Sequence, residues 1–166
     1  MSEALPSKRS RRPPRIPADM RRTRTCYDHL AGEIGVAIAD ELLSRGAVVL
    51  DGQAAEVTPA GHAFFARLGI DLAGDGKLRR ALCRPCMDLS ERRPHLAGRV
   101  GAALCACCLN RGWLARRAGS RTLDISPLGA NALPKAFGAS LAPLCGAAQP
   151  IVTCFSQTQA SAARAG

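Results

Sequence analysis

The stretch HLAGEIGVAIADELLSRG, residues 29–46, decides the fold because the chain contains it twice. The second copy is HLAGRVGAALCACCLNRG, residues 95–112, and nine of the eighteen positions are identical at a constant offset of 66 residues. Similarity at a fixed offset indicates that one structural unit has been written twice. The rest of the chain is therefore interpreted outward from these two segments.

Apolar residues recur every four positions in both copies, which predicts one buried face of an amphipathic helix. This face consists of Leu30, Ile34, Ile38 and Leu42 in the first copy, and of Leu96, Val100, Leu104 and Cys108 in the second. An Arg-Gly pair ends each predicted helix. Gly46 and Gly112 can take the left-handed backbone conformation that commonly follows the last helical turn.

A β-hairpin and a second helix are predicted after each long helix. The strands are expected at Val48–Leu50 and Glu56–Thr58, and at Trp113–Arg116 and Thr122–Ile125. The dipeptides Thr58-Pro59 and Ser126-Pro127 then offer a hydroxyl N-cap and a proline at the first helical position. We therefore predict a mainly α fold with small β-hairpins, built from duplicated helix–hairpin–helix units and winged-helix-like.

The composition divides the chain into a basic arm, a domain and a tail. The domain is expected at residues 25–138, with repeat units at 26–70 and 92–138, a linker at 71–91 and a short helix at 77–83. Residues 1–24 are rich in Pro, Arg and Ser and predict a disordered basic arm, and residues 139–166 predict a loosely ordered tail.

The net charge of +10 points to a polyanionic partner, most often nucleic acid. The alternative is a basic tail without a specific partner. The chain has no long apolar run and no secretory signal, so we expect no membrane span, a cytoplasmic location and reduced cysteines. Motifs of common enzyme classes are absent from the sequence, which predicts a protein that is not an enzyme.

The phrases TRTCYDHLAGEIGVAIADELLSRG and RPCMDLSERRPHLAGRVGAAL make the chain resemble the C-terminal region of bacterial ArsR-type transcriptional regulators over residues 22–138. Those regulators carry a winged helix-turn-helix domain before the CYDHLAG phrase, and the resemblance implies that this DNA-reading domain is missing here. It further implies DNA-binding transcription regulation, or the dimerisation and effector portion of such a regulator.

Two sequence features predict the partners of the chain, which are duplex DNA and a second copy of the chain. Arg116, Arg117 and Arg121 surround the tip of the second hairpin and are predicted to contact the phosphates of duplex DNA. The alternative is a solvated hairpin tip. Small residues beside the apolar helix face favour close helix packing and a homodimer; they are Gly32, Gly35, Gly98 and Gly101.

A candidate site for a zinc-like or thiophilic metal ion lies just before the long helices. Each copy supplies a Cys, an Asp and a His, and thiolate and imidazole groups are ligands that such ions prefer. The set is Cys26, Asp28 and His29 with Cys86, Asp88 and His95. The unequal Cys–His spacings argue against it, and the alternative is that both histidines cap the first helical turn. The site raises an alternative function, a metal- or redox-responsive binding protein without DNA-binding activity.

The other cysteines have less specific interpretations. Cys105 and Cys108 occupy apolar positions of the first copy and are predicted to be core residues, with Cys107 exposed; metal binding by this trio is the alternative. Cys83 and Cys86 form a single C-x-x-C pair, which lacks the second pair of a zinc ribbon and the helix start of a redox motif.

Overall fold

The computed structural model describes residues 15–73 and 80–146. The helices are α1 (Ala18–Arg22), α2 (Glu33–Ser44), α3 (Pro59–Arg67), α4 (Gly98–Asn110), α5 (Pro127–Phe137) and α6 (Ala142–Cys145), with a 3-10 turn at Ala139–Leu141. The strands are β1 (Arg24–Cys26), β2 (His29–Ala31), β3 (Val48–Asp51), β4 (Ala54–Val57), β5 (Arg84–Met87), β6 (Pro94–Ala97), β7 (Leu114–Arg116) and β8 (Leu123–Ile125). The order β-β-α-β-β-α thus occurs twice, in a first unit at residues 24–67 and a second unit at 84–137.

The prediction of a mainly α fold is wrong, because 45% of the described residues are helical and 23% lie in strands. The fold is mixed α/β. Each unit begins with an antiparallel hairpin that the helical interpretation of HLAG had absorbed, and His29–Ala31 and Pro94–Ala97 are strands. Gly32 and Gly98 then have φ of +80° and +79°, a conformation that interrupts the chain between strand and helix.

The four-residue periodicity correctly identifies the buried face of each long helix. Ile34, Ile38 and Leu42 of α2 are at most 2% exposed, and Val100 and Leu104 of α4 are also buried. Each helix is followed by a glycine with positive φ, as predicted at residues 46 and 112. The periodicity therefore predicts which residues are buried, although it places the start of each helix too early.

The two later hairpins and helix caps agree with the predictions. β3 pairs with β4 and β7 pairs with β8, both antiparallel. Thr58 accepts a hydrogen bond from the backbone N–H of Gly61, and Ser126 accepts one from Gly129, each at a helix that begins with proline. Pro134 lies inside α5, which ends three residues later at Phe137.

Three boundary predictions need correction. The predicted arm contains α1 and the start of β1 within its last residues, and the predicted linker at 71–91 contains β5. Residues 80–83 of the expected linker helix are not helical. The predicted tail contains the buried residues Leu141 and Cys145. Apolar side chains of the linker and the tail lie in the core cluster, which local periodicity does not reveal, whereas the buried residues of the arm are the polar Thr23 and Arg24. Residues 1–14, 74–79 and 147–166 lie outside the described part of the chain.

The first hairpin of each unit packs against the long helix of the other unit. β2 of the first unit lies against α4 of the second, and β6 of the second lies against α2 of the first. Arg45 donates to the carbonyl of Phe137, and Arg111 donates to that of Leu68 at 2.7 Å, so the residue that follows each long helix contacts the chain at the end of the other unit's last helix. One hydrophobic core cluster contains residues of both units. Within the described residues no helix is long and apolar enough to cross a membrane.

Candidate metal centre

The first hairpin of each unit places a cysteine directly opposite a histidine. Cys26 pairs with His29 across β1 and β2, and Cys86 pairs with His95 across β5 and β6. Paired residues on neighbouring antiparallel strands have their side chains on the same face of the hairpin. Each unit therefore presents one thiol and one imidazole from the same place.

The unequal Cys–His spacing reflects only the length of the hairpin loop. Two residues, Tyr27 and Asp28, connect the strands of the first unit, whereas residues 88–93 lie in the corresponding loop of the second. Tyr27 has a φ of 57°, which the tight turn requires of it. The spacing is therefore no argument against a shared site, because the longer loop leaves the register of the Cys–His pair intact.

The packing of the units brings the four side chains together. The ligand atoms of Cys26, His29, Cys86 and His95 all lie within 4.8 Å of one another. The Nε2 atoms of His29 and His95 are 3.1 Å apart, and both histidines are 1% exposed. Neither histidine caps a helix, since both lie in strands. Thus four of the predicted ligands form one cluster.

Asp88, which was predicted as a ligand, lies beside this cluster as a buried hydrogen-bond acceptor. Its Oδ1 accepts from Arg24 at 2.7 Å and from both the N–H and the hydroxyl of Ser90 at 2.8 Å, and its Oδ2 accepts from the N–H of Gly32 at 2.7 Å. Burial by itself would raise the pKa of Asp88, but these hydrogen bonds outweigh it and hold the pKa far below its usual range. Asp88 is therefore an ionised anchor that connects the second unit's loop to the first unit.

Both histidines have a carboxylate next to the ring nitrogen that points away from the cluster. His95 Nδ1 lies 3.2 Å from Asp88 Oδ2, a distance suited to an ion pair, although the contact lacks hydrogen-bond geometry. His29 Nδ1 lies 3.4 Å from Asp28 Oδ1. A carboxylate in this position favours a proton on Nδ1 and leaves the Nε2 lone pair directed into the cluster.

Asp28 is held differently from Asp88. Arg80 donates to its two oxygens at 2.5 and 2.9 Å, which lowers the pKa of Asp28 to about 2. The side chain of Asp28 is 48% exposed, whereas that of Asp88 is fully buried. The two outer carboxylates therefore have the same place relative to their histidines but very different access to water.

Burial favours the neutral form of both histidines. It lowers the pKa of His29, and it lowers the pKa of His95 to about 4 with a further contribution from repulsion by His29. The neutral imidazole is the form that binds metal ions. At neutral pH the cluster thus offers two imidazole nitrogens without prior loss of a proton.

The other cysteines of the described residues lie outside this cluster, and Cys105 and Cys108 of α4 occupy core positions as predicted. Cys105 and Cys108 are buried in the core cluster, whereas Cys107, which the sequence predicts to be exposed, is half-buried with its sulfur 3.9 Å from the carbonyl of Leu68. Cys83 is also buried in the core, and burial raises the pKa of its thiol to about 11. The C-x-x-C pair is therefore divided between the core, which contains Cys83, and the Cys–His cluster, which contains Cys86.

The predicted DNA-contacting arginines are separated by their own contacts. Arg117 forms salt bridges with Asp124 at 2.5 Å and with Asp19 of α1, and these carboxylates raise its pKa further. Arg116 and Arg121 are exposed and form no salt bridge with the described residues. The β7–β8 hairpin therefore presents two arginines to solvent, while the partly exposed third is engaged in salt bridges within the chain.

Two features of this site were not anticipated from the sequence. Arg24 is 4% exposed and pairs with Asp88, although it was assigned to a disordered arm. Gly101 lies against His29, and a Cβ added there would come within 2.9 Å of the His29 Cβ. The shared pattern Arg-x-Cys at Arg24 and Arg84 was an available signal, because it aligns β1 with β5 and predicts the first hairpin of each unit.

The chain is similar to a protein named as an uncharacterized HTH-type transcriptional regulator, YdfF of Bacillus subtilis strain 168. The two are 40% identical over 117 residues, which is 70% of this chain and 52% of that protein. The chain thus spans about half the length of the curated relative that it matches. No family model and no solved structure matches the chain.

Proposed function

We propose that the chain acts in DNA-binding transcription regulation, as a regulator of the ArsR type or as the dimerisation and effector portion of one. The observation that carries this proposal is the 40% identity over 117 residues to a protein named as an HTH-type transcriptional regulator. The net charge of +10 supports a polyanionic partner. The same proposal makes the chain a cytoplasmic, non-enzymatic protein.

Direct contact with DNA is assigned to the second hairpin. Arg116 and Arg121 are exposed at β7 and at the turn before β8, where each could approach a phosphate. Arg117 is already neutralised by Asp19 and Asp124, so its phosphate contact would require the loss of two salt bridges. We therefore retain Arg117 as a weaker contact than its two neighbours.

A salt titration of binding to mixed-sequence duplex DNA tests this function. Each phosphate contact contributes about 0.9 to the slope of log affinity against log salt. The double variant Arg116→Ala with Arg121→Ala should lower the slope by about 2, whereas Arg117→Ala should lower it less. If the unaltered chain does not bind duplex DNA even at low salt, the DNA-contacting role of this chain is wrong.

The proposed homodimer has lost one of its supports. Cβ atoms added at Gly35 and Gly101 would meet the backbone carbonyl oxygens of Leu30 and Leu96 at 2.6 and 2.2 Å. These glycines are therefore explained by close packing within the chain. The homodimer now depends on the ArsR resemblance, and sedimentation equilibrium tests it directly, with a monomer mass at all concentrations as the contrary result.

A second candidate function is a metal- or redox-responsive binding protein without DNA-binding activity. The cluster of two cysteines and two histidines favours it, since these residues suit a zinc-like or thiophilic ion. The two functions differ in a simple measurement. The second predicts retention of metal through dialysis together with a negative DNA titration.

A further inference from the structure

We infer that Cys26, His29, Cys86 and His95 bind one zinc(II) ion in a closed tetrahedral site that fastens the first hairpins of the two units to each other. This inference deepens the second candidate function by naming the ion, the ligand atoms and the structural consequence. It holds equally if the chain binds DNA. Its test below therefore measures metal binding separately from DNA binding.

The strongest argument is the meeting of two imidazole nitrogens inside the protein. His29 Nε2 and His95 Nε2 are 3.1 Å apart, and both rings are almost fully buried. Asp28 and Asp88 favour protons on the two Nδ1 atoms, which directs two lone pairs at each other. Moving one proton to Nε2 relieves that repulsion but turns a bare Nδ1 toward a carboxylate. A cation between the Nε2 atoms removes both conflicts.

The distances suit a four-coordinate zinc ion. Zinc lies about 2.0–2.1 Å from imidazole nitrogen and about 2.3 Å from thiolate sulfur, so ligand atoms of a tetrahedral site are about 3.3–3.8 Å apart. The observed nitrogen separation is 3.1 Å, and all four ligand atoms lie within 4.8 Å of one another. Small side-chain rotations of Cys26 and Cys86, which are half-buried, would complete the site.

The donor set identifies the class of ion and the kind of site. Two thiolates and two neutral imidazoles form a set typical of structural zinc, and two thiolate charges balance a divalent ion. Asp88 is not a fifth ligand, because its oxygens accept hydrogen bonds from Arg24, Gly32 and Ser90. Asp28 is occupied by Arg80. Among the described residues, the site therefore has no carboxylate available for a harder ion such as magnesium.

The surrounding helices leave space for each histidine on the opposite unit. The Cβ of His29 would be 2.9 Å from a Cβ added at Gly101, and that of His95 would be 3.7 Å from one added at Gly35. Each histidine thus packs against a glycine of the other unit's long helix. A metal ion bound to both would oppose separation of β2 from α4 and of β6 from α2.

Metal titration of the whole chain under reducing conditions tests this inference. With zinc(II), we expect one ion per chain to remain after gel filtration. With cobalt(II), we expect a thiolate charge-transfer band and the d–d bands of a tetrahedral complex. Cys86→Ser should abolish stoichiometric zinc binding and, with it, the thiolate charge-transfer band of cobalt. Cys107→Ser is the matched control, because this cysteine is half-buried outside the cluster, and it should bind as the unaltered chain does.

Two further readouts separate the possible outcomes. Asp28→Asn preserves all four ligands and should weaken zinc binding about 10-fold through the orientation of His29. Amide hydrogen exchange should slow in β2 and in β6 together when zinc binds. The inference is overturned if zinc binding is absent, if Cys86→Ser binds like the unaltered chain, or if cobalt gives an octahedral spectrum. Slowed exchange in only one hairpin would overturn the fastening role.

The DNA titration repeated with and without zinc keeps this result distinct from the proposed function. Zinc binding without DNA binding would refute the DNA role and leave the metal site intact. DNA binding in a chain that does not bind zinc would do the reverse. A Cys26–Cys86 disulfide that persists in the purified protein under the reducing conditions of the titration, detected by mass spectrometry, would also overturn the inference, because it removes both thiolate ligands.

Discussion

The first hairpins of the two units carry the same Cys–His pair but anchor it in different ways. In the second unit the loop turns Asp88 into the protein, where it accepts hydrogen bonds from Arg24 and Gly32. In the first unit the two-residue turn leaves Asp28 at the surface with Arg80. The comparison shows that duplicated residues acquire different energetic roles when one loop is longer. The β5–β6 hairpin therefore connects the units through a buried carboxylate, whereas the β1–β2 hairpin exposes the Tyr27-Asp28 turn although its strands are buried.

The largest effect is expected for Asp88→Asn. This change leaves the guanidinium of Arg24 buried without its carboxylate, and breaking a buried ion pair in this way costs about 3 kcal/mol of unfolding free energy. Urea denaturation followed by circular dichroism measures the loss. The matched change Asp28→Asn removes an exposed ion pair and should cost about 0.5 kcal/mol. Equal losses at the two positions would contradict the comparison.

The next largest loss of stability is expected when a glycine that faces one of the histidines is replaced by alanine. Gly101→Ala should destabilise the protein by about 2 kcal/mol, because the new Cβ would lie 2.2 Å from the carbonyl oxygen of Leu96 and would also press on His29. Gly35→Ala should cost less, since its contact with His95 is 3.7 Å. Thermal unfolding of the two variants ranks them. A larger loss at Gly35 would show that the first unit is the more tightly packed one.

A smaller loss of unfolding free energy is expected when the hydroxyl N-caps of α5 and α3 are removed, and the loss should differ between the two. Ser126→Ala should cost about 1 kcal/mol, because the Gly129 N–H that it caps is buried and water cannot replace the hydroxyl. Thr58→Ala should cost less, since its hydrogen bond to Gly61 is only partly buried. Chemical denaturation of both variants decides the order, and a reversed order would remove burial as the explanation.

The smallest loss of stability is expected for substitutions in the β7–β8 hairpin. Arg117→Ala should lower the unfolding free energy by about 0.5 kcal/mol, because its salt bridges with Asp19 and Asp124 are partly exposed. Arg116→Ala should leave stability unchanged within error. The two variants are to be compared at low and high salt. A loss at Arg117 that does not shrink with salt would argue against an electrostatic contribution.

Much of the fold could be predicted from local pattern. The apolar face of α2, the glycine after it and the Thr-Pro start of α3 each depend on residues a few positions apart, and all three agree with the structure. The hairpin at the start of each unit was missed for a related reason. HLAG continues the four-residue apolar series, so Leu30 fits a helix and a strand equally well.

The candidate metal ligands show what cannot be predicted from residues that are close in the sequence. The residue types selected four side chains that form one cluster, yet the spacing argument counted against them because it compared distances along the sequence. The strand register places each cysteine directly opposite its histidine, so the pairs Cys26–His29 and Cys86–His95 have the same position in their hairpins. Asp88 was grouped with the ligands because a carboxylate near Cys and His suits zinc, and only its contacts with Arg24 and Gly32 reveal its other role.

The sequence by itself determined the duplication, the buried helix faces, the helix caps and the chemical types of the candidate ligands. These follow from residue identity and short-range periodicity, which a linear chain displays directly. Only the tertiary structure shows that each first hairpin packs on the long helix of the other unit. It also decides that His29 and His95 lie in contact and that Asp88 binds the second unit to the first. Those contacts join residues more than fifty positions apart, and their energies arise only when burial removes water from both partners.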